Sequence, residues 1–176
     1  MSGKNFILHQ TTSLQREIQN TKAVECACAR FKRDMEMTLE ASAREGGTVI
    51  LRQKKLEPEA YEMEVSEDTV VIYGSNDRSF IYALNELSGK YLGILAFRFW
   101  NDQEIKVKPY VKIPCGHYQS EENRIRYRGW FINDEVLISH WTAGVSKEYP
   151  WERVFESLHR CGGNLVIPGT DKNSKI

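Results

Sequence analysis

The chain has 176 residues, and its 24 lysines and arginines balance 24 aspartates and glutamates, so the formal net charge at pH 7 is zero. At roughly 100–200 residues per domain, this length predicts one domain with part of another. A content of 41% hydrophobic residues excludes a disordered or collagen-like chain. The neutral charge argues against a nucleic-acid partner, and the sequence has no run of about 18 apolar residues to indicate a membrane span.

The N-terminus and the cysteines predict a cytoplasmic protein. The first residues hold only one apolar triplet, Phe6-Ile7-Leu8, whereas a secretory signal needs an apolar run of about 7–15 residues. The four cysteines show no C-x-x-C spacing, which favours reduced, structural thiols. A zinc site is the alternative, assembled from Cys115, His117, His159 and Cys161. Because Cys-x-His and His-x-Cys are not zinc-finger spacings, we expect no metal and no cofactor.

The first 47 residues predict a short strand and a long surface helix. Phe6-Ile7-Leu8 is the strand. From Val24 to Leu39, apolar residues recur at steps of three and four, and charged residues fill most of the remaining positions. This pattern is typical of a helix with one buried stripe. The pair Gly46-Gly47 marks the end of the region.

Further strands and a second helix are predicted up to residue 108. Residues 61–65 alternate apolar with acidic side chains and form a hairpin with the next run. An apolar stripe from Phe80 to Tyr91 predicts the helix, which Gly93 closes. The strand-like runs are 48–51, 61–65, 69–73, 97–100 and 105–108. The order β-α-β-β-β-α-β predicts an α+β fold over residues 1–113, a two-layer sandwich with a mainly antiparallel sheet and two helices.

The pattern changes after a predicted linker. The segment from Pro109 to Asn123 contains two prolines and a glycine, and we take residues 114–124 as the linker between two domains. Residues 125–176 then predict one β-α-β unit with parallel strands. Its apolar strands start near Arg128 and Asn164, and Pro150 fits the first turn of the helix between them.

The residues that follow the first of these strands are the candidate site. Fifteen residues, Asp134 to Glu148, separate strand from helix, against about 2–6 in a usual connection. Long loops at the carboxyl end of parallel strands carry ligand sites. Asn133, Asp134 and Glu135 therefore suit sugar hydroxyls, a metal or a positive partner, although the two carboxylates also suit a turn cap or a solvated surface. Arg128 can grip a carboxylate or vicinal hydroxyls with its planar fork, or form a plain salt bridge.

Two tryptophans lie near these carboxylates in the sequence. Trp130 is in the strand and Trp141 is in the long loop. Aromatic rings beside carboxylates suit a sugar-binding face, but a tryptophan in the core is the commoner outcome. The sequence contains no G-x-S-x-G, P-loop, H-E-x-x-H or Rossmann glycine pattern.

The run RYRGWFINDE, Arg126 to Glu135, resembles the opening barrel strand of glycoside hydrolase family 115, the xylan α-glucuronidases. The run WERVFESLHRCGGN, residues 151–164, is similar to that family's first barrel helix and its entry into strand two. Arg128-Gly129 followed by an acidic residue also resembles the β-hexosaminidases of family 20. Upstream, residues 61–87 resemble the small α+β domain that precedes the barrel in both groups.

The resemblance implies the N-terminal portion of a glycoside hydrolase, either α-glucuronidase-like or hexosaminidase-like. It implies a hexosaminidase domain-2-like accessory domain followed by the first β-α-β of an incomplete (β/α)₈ barrel, a fold that needs about 250 residues. By resemblance, Asn133, Asp134 and Glu135 lie at the sugar pocket, and Arg128 grips the terminal sugar. The catalytic carboxylates come from later strands, so we expect a carbohydrate partner but no activity of this chain alone.

A non-catalytic module is the alternative. Such a chain would bind carbohydrate or protein without hydrolysis. Two open parallel strands leave apolar faces and unpaired edges, which favour association. The alternative therefore predicts a homodimer through the exposed β-α-β unit.

Overall fold

The computed structural model describes residues 3–41, 44–133 and 140–167, which form two compact units. The first unit holds the described residues up to Leu95 together with Gln103–Asn123, and the second holds Ala96–Asp102 and the described residues from Arg124 onward. In chain order the elements are β1 (Asn5–Leu8), β2 (Ser13–Glu17), α1 (Lys22–Thr38), β3 (Thr48–Gln53), β4 (Tyr61–Val65), β5 (Thr69–Gly74), α2 (Asp77–Leu87), β6 (Val111–Pro114), β7 (Gly116–Gln119), β8 (Gly129–Phe131), α3 (Tyr149–Arg160) and β9 (Leu165–Ile167).

The first unit is built on a mixed five-stranded sheet. Its strand order is β2-β3-β5-β4-β7, and a separate antiparallel pair joins β1 to β6. The pairs β2–β3 and β3–β5 are parallel, whereas β4 is antiparallel to both β5 and β7. The expected mixture of helices and strands is confirmed, but the expectation of a mainly antiparallel sheet is wrong. The reason is that α1 carries the chain back from the end of β2 to the start of β3, which makes these two strands parallel.

One face of this sheet is buried together with the two helices. Alternate residues of the central strands are buried, and the register aligns them in rows on one face. The rows consist of Val49, Leu51, Met63, Val65, Val70 and Ile72. Phe31 of α1 and Phe80 of α2 belong to the same buried core. Thr21 caps α1 by accepting a hydrogen bond from a backbone N–H, and Asn76 caps α2 in the same way.

The segment that was expected to be a linker contributes two strands to the first unit. β6 pairs with β1, and β7, within the expected linker 114–124, pairs with β4. Conversely, the runs 97–100 and 105–108 are not strands. Residues 97–101 form a turn in which the Phe97 carbonyl accepts hydrogen bonds from two later N–H groups, and Lys108 forms an isolated bridge with Leu39. The alternation of aromatic with polar residues matches a strand, but backbone bonding within the turn removes the pairing that a strand needs.

The second unit contains the predicted β-α-β arrangement. β8 and β9 pair in parallel, with Gly129 opposite Leu165 and Phe131 opposite Ile167, and α3 connects them. The parallel pairing expected from the sequence is confirmed. Pro150 lies in the first turn of α3, as predicted. No helix in the described ranges is both long and apolar enough to cross a membrane.

The amino ends of β8 and β9 are held together by backbone contact and by one side chain. A Cβ atom on Gly129 would overlap the carbonyl oxygen of Leu165. The Asn164 side chain accepts a hydrogen bond from the N–H of Arg128 at 2.9 Å through Oδ1, and Nδ2 donates to the carbonyl of Arg126 at 2.8 Å. The Asn164 backbone N–H donates to the Arg128 carbonyl at 2.8 Å. Asn164 therefore extends the strand pairing towards the chain that leads into β8.

We expect Gly129→Ala to destabilise the second unit by about 1–3 kcal/mol, because the new Cβ pushes β8 away from Leu165. Urea unfolding followed by tryptophan fluorescence measures this, since all four tryptophans belong to the second unit: Trp100, Trp130, Trp141 and Trp151. Asn101→Ala, at an exposed position of the same unit, is the control and should leave the urea midpoint unchanged. An unchanged urea midpoint for Gly129→Ala would contradict the close approach of β8 and β9.

Asn164→Ala removes two side-chain hydrogen bonds. At about 0.5–1.5 kcal/mol net for each bond, we expect the free energy of unfolding to fall by roughly 1–3 kcal/mol. Asn164→Asp keeps the acceptor but places a carboxylate oxygen against the carbonyl oxygen of Arg126, so it should destabilise the unit at least as much as the alanine variant. Asn101→Ala, at an exposed position of the same unit, is the control and should stay within about 0.5 kcal/mol. Equal urea midpoints for the two alanine variants would show that Asn164 does not stabilise the unit.

Candidate functional site

The predicted site residues lie at opposite ends of β8. Arg128 immediately precedes the strand, whereas Asn133 follows its carboxyl end and is exposed. The other two predicted residues, Asp134 and Glu135, lie outside the described residues. At about 3.3 Å per residue, the five steps from 128 to 133 correspond to roughly 16 Å of extended chain. The structure therefore does not bring Arg128 and Asn133 together.

The guanidinium of Arg128 is bound to backbone carbonyls. Its Nε donates to the carbonyl of Gly162 at 2.8 Å, and its Nη1 donates to the carbonyl of Ile125 at 2.6 Å. Gly162 has a positive φ of 70° in the turn that follows α3. Arg128 thus connects this turn to the segment that leads into β8. The sugar contact expected for Arg128 stays a prediction.

Asn164 is a positioning residue that the sequence analysis did not single out. Its side chain bonds to the backbone at Arg126 and Arg128, so it orients the start of β8 together with the arginine. The available signal is the run Gly162-Gly163-Asn164 before an apolar strand. Asparagine beside a turn commonly hydrogen-bonds to backbone groups.

Aromatic side chains gather around Phe99 in the second unit. The Phe99 ring centroid lies 5.1 Å from that of Trp100 and 5.7 Å from those of Trp141 and Tyr149. Trp141, for which the sequence left a sugar-binding face and the core as alternatives, is 40% exposed. Small-molecule sites combine such aromatic surfaces with a few polar groups. Trp141 therefore presents an exposed aromatic surface beside Phe99.

Trp130 has a different environment from Trp141. It is half-buried in β8, and its ring stacks on Phe97 with centroids 5.8 Å apart and an interplanar angle of 27°. Phe97 belongs to the turn of residues 97–101, which is part of the second unit. Trp130 therefore has a packing role within its unit.

A buried carboxylate binds the same turn to α3. Glu156 accepts hydrogen bonds from Nε and Nη2 of Arg160 at 3.1 and 3.0 Å, and it pairs with Nη1 of Arg153 at 2.7 Å. Arg98 approaches from the turn, with its Nε 3.9 Å from Glu156. Breaking a buried ion pair leaves a charge without compensation, so removing one member of this cluster would destabilise the unit. Its carboxylate is committed to arginines and does not extend the candidate site.

Two titratable groups of the second unit have shifted pKa values. Burial raises the pKa of the Cys161 thiol, which therefore stays protonated at neutral pH. The pKa of the Glu148 carboxyl is held below its usual range by hydrogen bonds from the Glu148 backbone N–H and the Ser146 hydroxyl. All four cysteines are free. Within residues 3–41, 44–133 and 140–167, no group of three or more His, Cys, Asp and Glu side chains is arranged to hold a metal ion.

Two glycoside hydrolase family models match the chain. The model for glycosyl hydrolase family 20, domain 2 matches residues 1–89, which run from the N-terminus through α2. The model for glycosyl hydrolase family 115 matches residues 120–176, which include β8, α3 and β9. None of the curated proteins compared with the chain matches it.

Solved structures share this fold but are much longer. A family 115 4-O-methyl-α-glucuronidase with specificity for decorated arabinogalactans is 20% identical over 93% of this chain and 26% of its own, with a TM-score of 0.75. The family 20 exo-β-N-acetylglucosaminidase of Vibrio harveyi is 16% identical over 95% and 23%, with a TM-score of 0.64. The family 20 β-N-acetylhexosaminidase of Streptomyces coelicolor A3(2) is 11% identical over 74% and 26%, with a TM-score of 0.54.

The chain thus covers 23–26% of the length of these three structures. At these identities the likeness establishes a shared fold. The family 20 model accounts for 89 of the 176 residues, and the family 115 model accounts for the β-α-β unit where the resemblance at residues 126–135 had indicated it. The chain therefore belongs to the glycosyl hydrolase family 20, domain 2 family through residues 1–89, and it continues into a region that matches glycosyl hydrolase family 115.

Proposed function

We propose that this chain is the N-terminal portion of a glycoside hydrolase that acts on carbohydrate, of the α-glucuronidase or hexosaminidase type. In this proposal, β8, α3 and β9 form the first β-α-β of a (β/α)₈ barrel. The observation that carries it is the parallel pairing of β8 with β9 on either side of α3. Active sites of such barrels lie at the carboxyl ends of the strands, which is where Asn133 follows β8.

The polar residues after β8 have the chemistry that sugar hydroxyls require. The amide of Asn133 both donates and accepts hydrogen bonds, and the carboxylates of Asp134 and Glu135 accept them. Hydrogen bonds to carboxylates are the stronger kind, so the two acids would contribute most to affinity. Arg128 is the fourth proposed sugar contact, at the opposite end of β8 from Asn133. Its Nε and Nη1 bind carbonyl oxygens, and a sugar bound at the other three residues would have to extend along β8 to reach it.

The same proposal assigns the catalytic carboxylates to residues outside this chain. Glycoside hydrolysis needs two carboxyl groups about 5–9.5 Å apart, on either side of the scissile bond. Of the acids in the described part of the second unit, Glu156 is bound by arginines. The chain would therefore bind sugar without cleaving it. The four free cysteines fit the proposed cytoplasmic location, where thiols remain reduced.

Titration of the 176-residue protein with methyl α-glucuronide and with N-acetylglucosamine tests the proposal. We expect one of the two sugars to change the tryptophan fluorescence, since all four tryptophans are in the second unit. Asp134→Asn and Glu135→Gln should each weaken binding by about 10–100-fold, the effect of losing a hydrogen bond to a charged group. Asn133→Ala should have a smaller effect, because its amide is neutral.

Asp102→Asn is the matched control for Asp134→Asn. Asp102 lies in the same unit and has a positive φ of 46°, a conformation that asparagine adopts readily. Its affinity for the sugar should equal that of the parent. Absence of any response to either sugar would overturn the sugar-site proposal, and so would equal losses in Asp102→Asn and Asp134→Asn.

A protein-interaction module is the second candidate, favoured by the exposed apolar face of the β8–β9 pair. Phe131 is 52% exposed, Ile167 is 49% exposed, and Leu165 lies on the same face. A homodimer through this face would bury these side chains. Sedimentation equilibrium distinguishes the candidates, because concentration-dependent dimerisation that Phe131→Glu abolishes, without any sugar response, would support the module and contradict the hydrolase proposal.

A further inference from the structure

The first unit has an open sheet edge at β2. In the strand order β2 is terminal, with β3 as its neighbour on one side. The N–H of Ser13 donates to the carbonyl of Gly47, on the side of β3. Bonding directions alternate along a parallel strand, so the N–H and C=O groups of Leu14 and Arg16 point away from the sheet. In the described part of the chain, no strand pairs with this edge.

A groove of about 550 Å³ lies between this edge and α1. Leu14 lines it from β2, and Phe31 and Met35 of the buried core line it from the helix. Cys28 adds uncharged surface, because burial raises the pKa of its thiol to about 11. Because Phe31 and Met35 are almost fully buried, the apolar surface that a ligand could contact comes mainly from Leu14, Cys28 and Ala29, beside the unpaired backbone groups of β2. Domains that bind extended peptides combine these two features.

The groove carries an excess of positive charge. Arg16 occupies the same row as Leu14, opposite Leu51, where the alternation of β2 would place an apolar residue. Its Nη1 donates to Oδ1 of Asn20, a neutral acceptor, at 2.6 Å. Lys32, the second cation of the lining, has its nearest carboxylate oxygen on Glu36 at 3.9 Å.

The carboxylate in the lining is already bonded. Glu25 accepts a hydrogen bond from the side-chain amide of Asn20 at 2.5 Å and lies 3.8 Å from the ammonium of Lys22. The two cations of the lining are therefore the groups best placed to attract a ligand, and an anionic ligand complements them.

We propose that β2 and α1 form a docking groove for an extended segment of a partner protein, which joins the open edge of β2 as an additional strand. Because Leu14 and Arg16 lie on one face two positions apart, the partner strand would present an acidic and an apolar side chain at the same spacing. Backbone bonds to Leu14 and Arg16 would supply affinity, and the groove would supply specificity. This site lies within the first unit and does not depend on the sugar-binding proposal.

The charge pattern distinguishes this partner from a second copy of the chain. A two-fold pairing of β2 with itself about Gln15 would place Arg16 opposite Leu14 of the other copy. The copy's β2 carries an acid at Glu17, but alternation points that side chain to the other face of the sheet, where it pairs with Arg52. In this pairing, β2 of a copy offers no carboxylate to the groove.

A fluorescently labelled peptide with blocked termini tests the proposal with the full chain. Every second residue of the peptide is threonine, and the positions between the threonines are glutamate and valine in turn. We expect it to bind, with anisotropy as the measure, and we expect a peptide with lysine for glutamate to bind at least about tenfold more weakly. Lys32→Glu should weaken binding of the glutamate peptide and strengthen binding of the lysine peptide. Lys55→Glu, at an exposed position of the same unit outside the groove lining, should leave both affinities unchanged.

Hydrogen exchange identifies the strand itself. With the glutamate peptide bound, the amides of Leu14 and Arg16 should exchange at least about tenfold more slowly, because peptide carbonyls now bond them. The amides of Ser13 and Gln15 should change little, since they already face β3. The proposal is overturned if the glutamate peptide does not bind, or if it binds without protecting Leu14 and Arg16. It is equally overturned if these amides become protected at high protein concentration without peptide, which would identify a second copy as the occupant.

Discussion

The second unit depends on the close contact between the backbone of Gly129 and the carbonyl of Leu165. A side chain at position 129 would prevent this contact, and a shift of one residue in a strand turns every side chain to the opposite face. The contact therefore fixes which residues of β8 and β9 share a face. With this register, Phe131 and Ile167 lie side by side, and Asn133 follows β8 at its carboxyl end. The side chain of Asn164 stabilises the same register, because it hydrogen-bonds to the backbone just before β8.

The spacing of apolar residues predicts those helices and strands that bury a row of apolar side chains in the core. Both helices of the first unit and the strands β3, β4 and β5 follow from their spacing, since each places a row of apolar side chains in one core. β2 has one apolar residue, Leu14, in five, so its pairing to β3 leaves no trace in the pattern. Residues 97–100 have the pattern of a strand but do not form one. Their aromatic rings satisfy the alternation of a strand, but they pack around Phe99 and on Trp130 within the second unit.

The strand that precedes the predicted site residues could be predicted from the sequence, but the hydrogen bonds of Arg128 and Asn164 could not. A polar cluster after an apolar strand is visible in the sequence, and Asn133 does follow the carboxyl end of β8. Two donors of Arg128 bind the carbonyls of Ile125 and Gly162, and Gly162 lies 34 residues away in the chain. Neither spacing nor residue type reveals such a bond. The same applies to Asn164, whose backbone partners precede it by 36 and 38 residues.

Arg16 has two effects at the open β2 edge of the first unit: it disfavours pairing with apolar strands, and it favours a strand that carries a carboxylate. Open sheet edges favour unwanted pairing, and natural proteins limit it by placing charges on edge strands, including charges that point inward. Arg16 is such a charge, because it stands in a row that continues to the buried Leu51. An apolar strand that approaches β2 would have to cover the guanidinium without compensating it, which is unfavourable. A strand with a carboxylate at that position removes the penalty. The residue that prevents indiscriminate pairing is thus the one that selects an acidic partner.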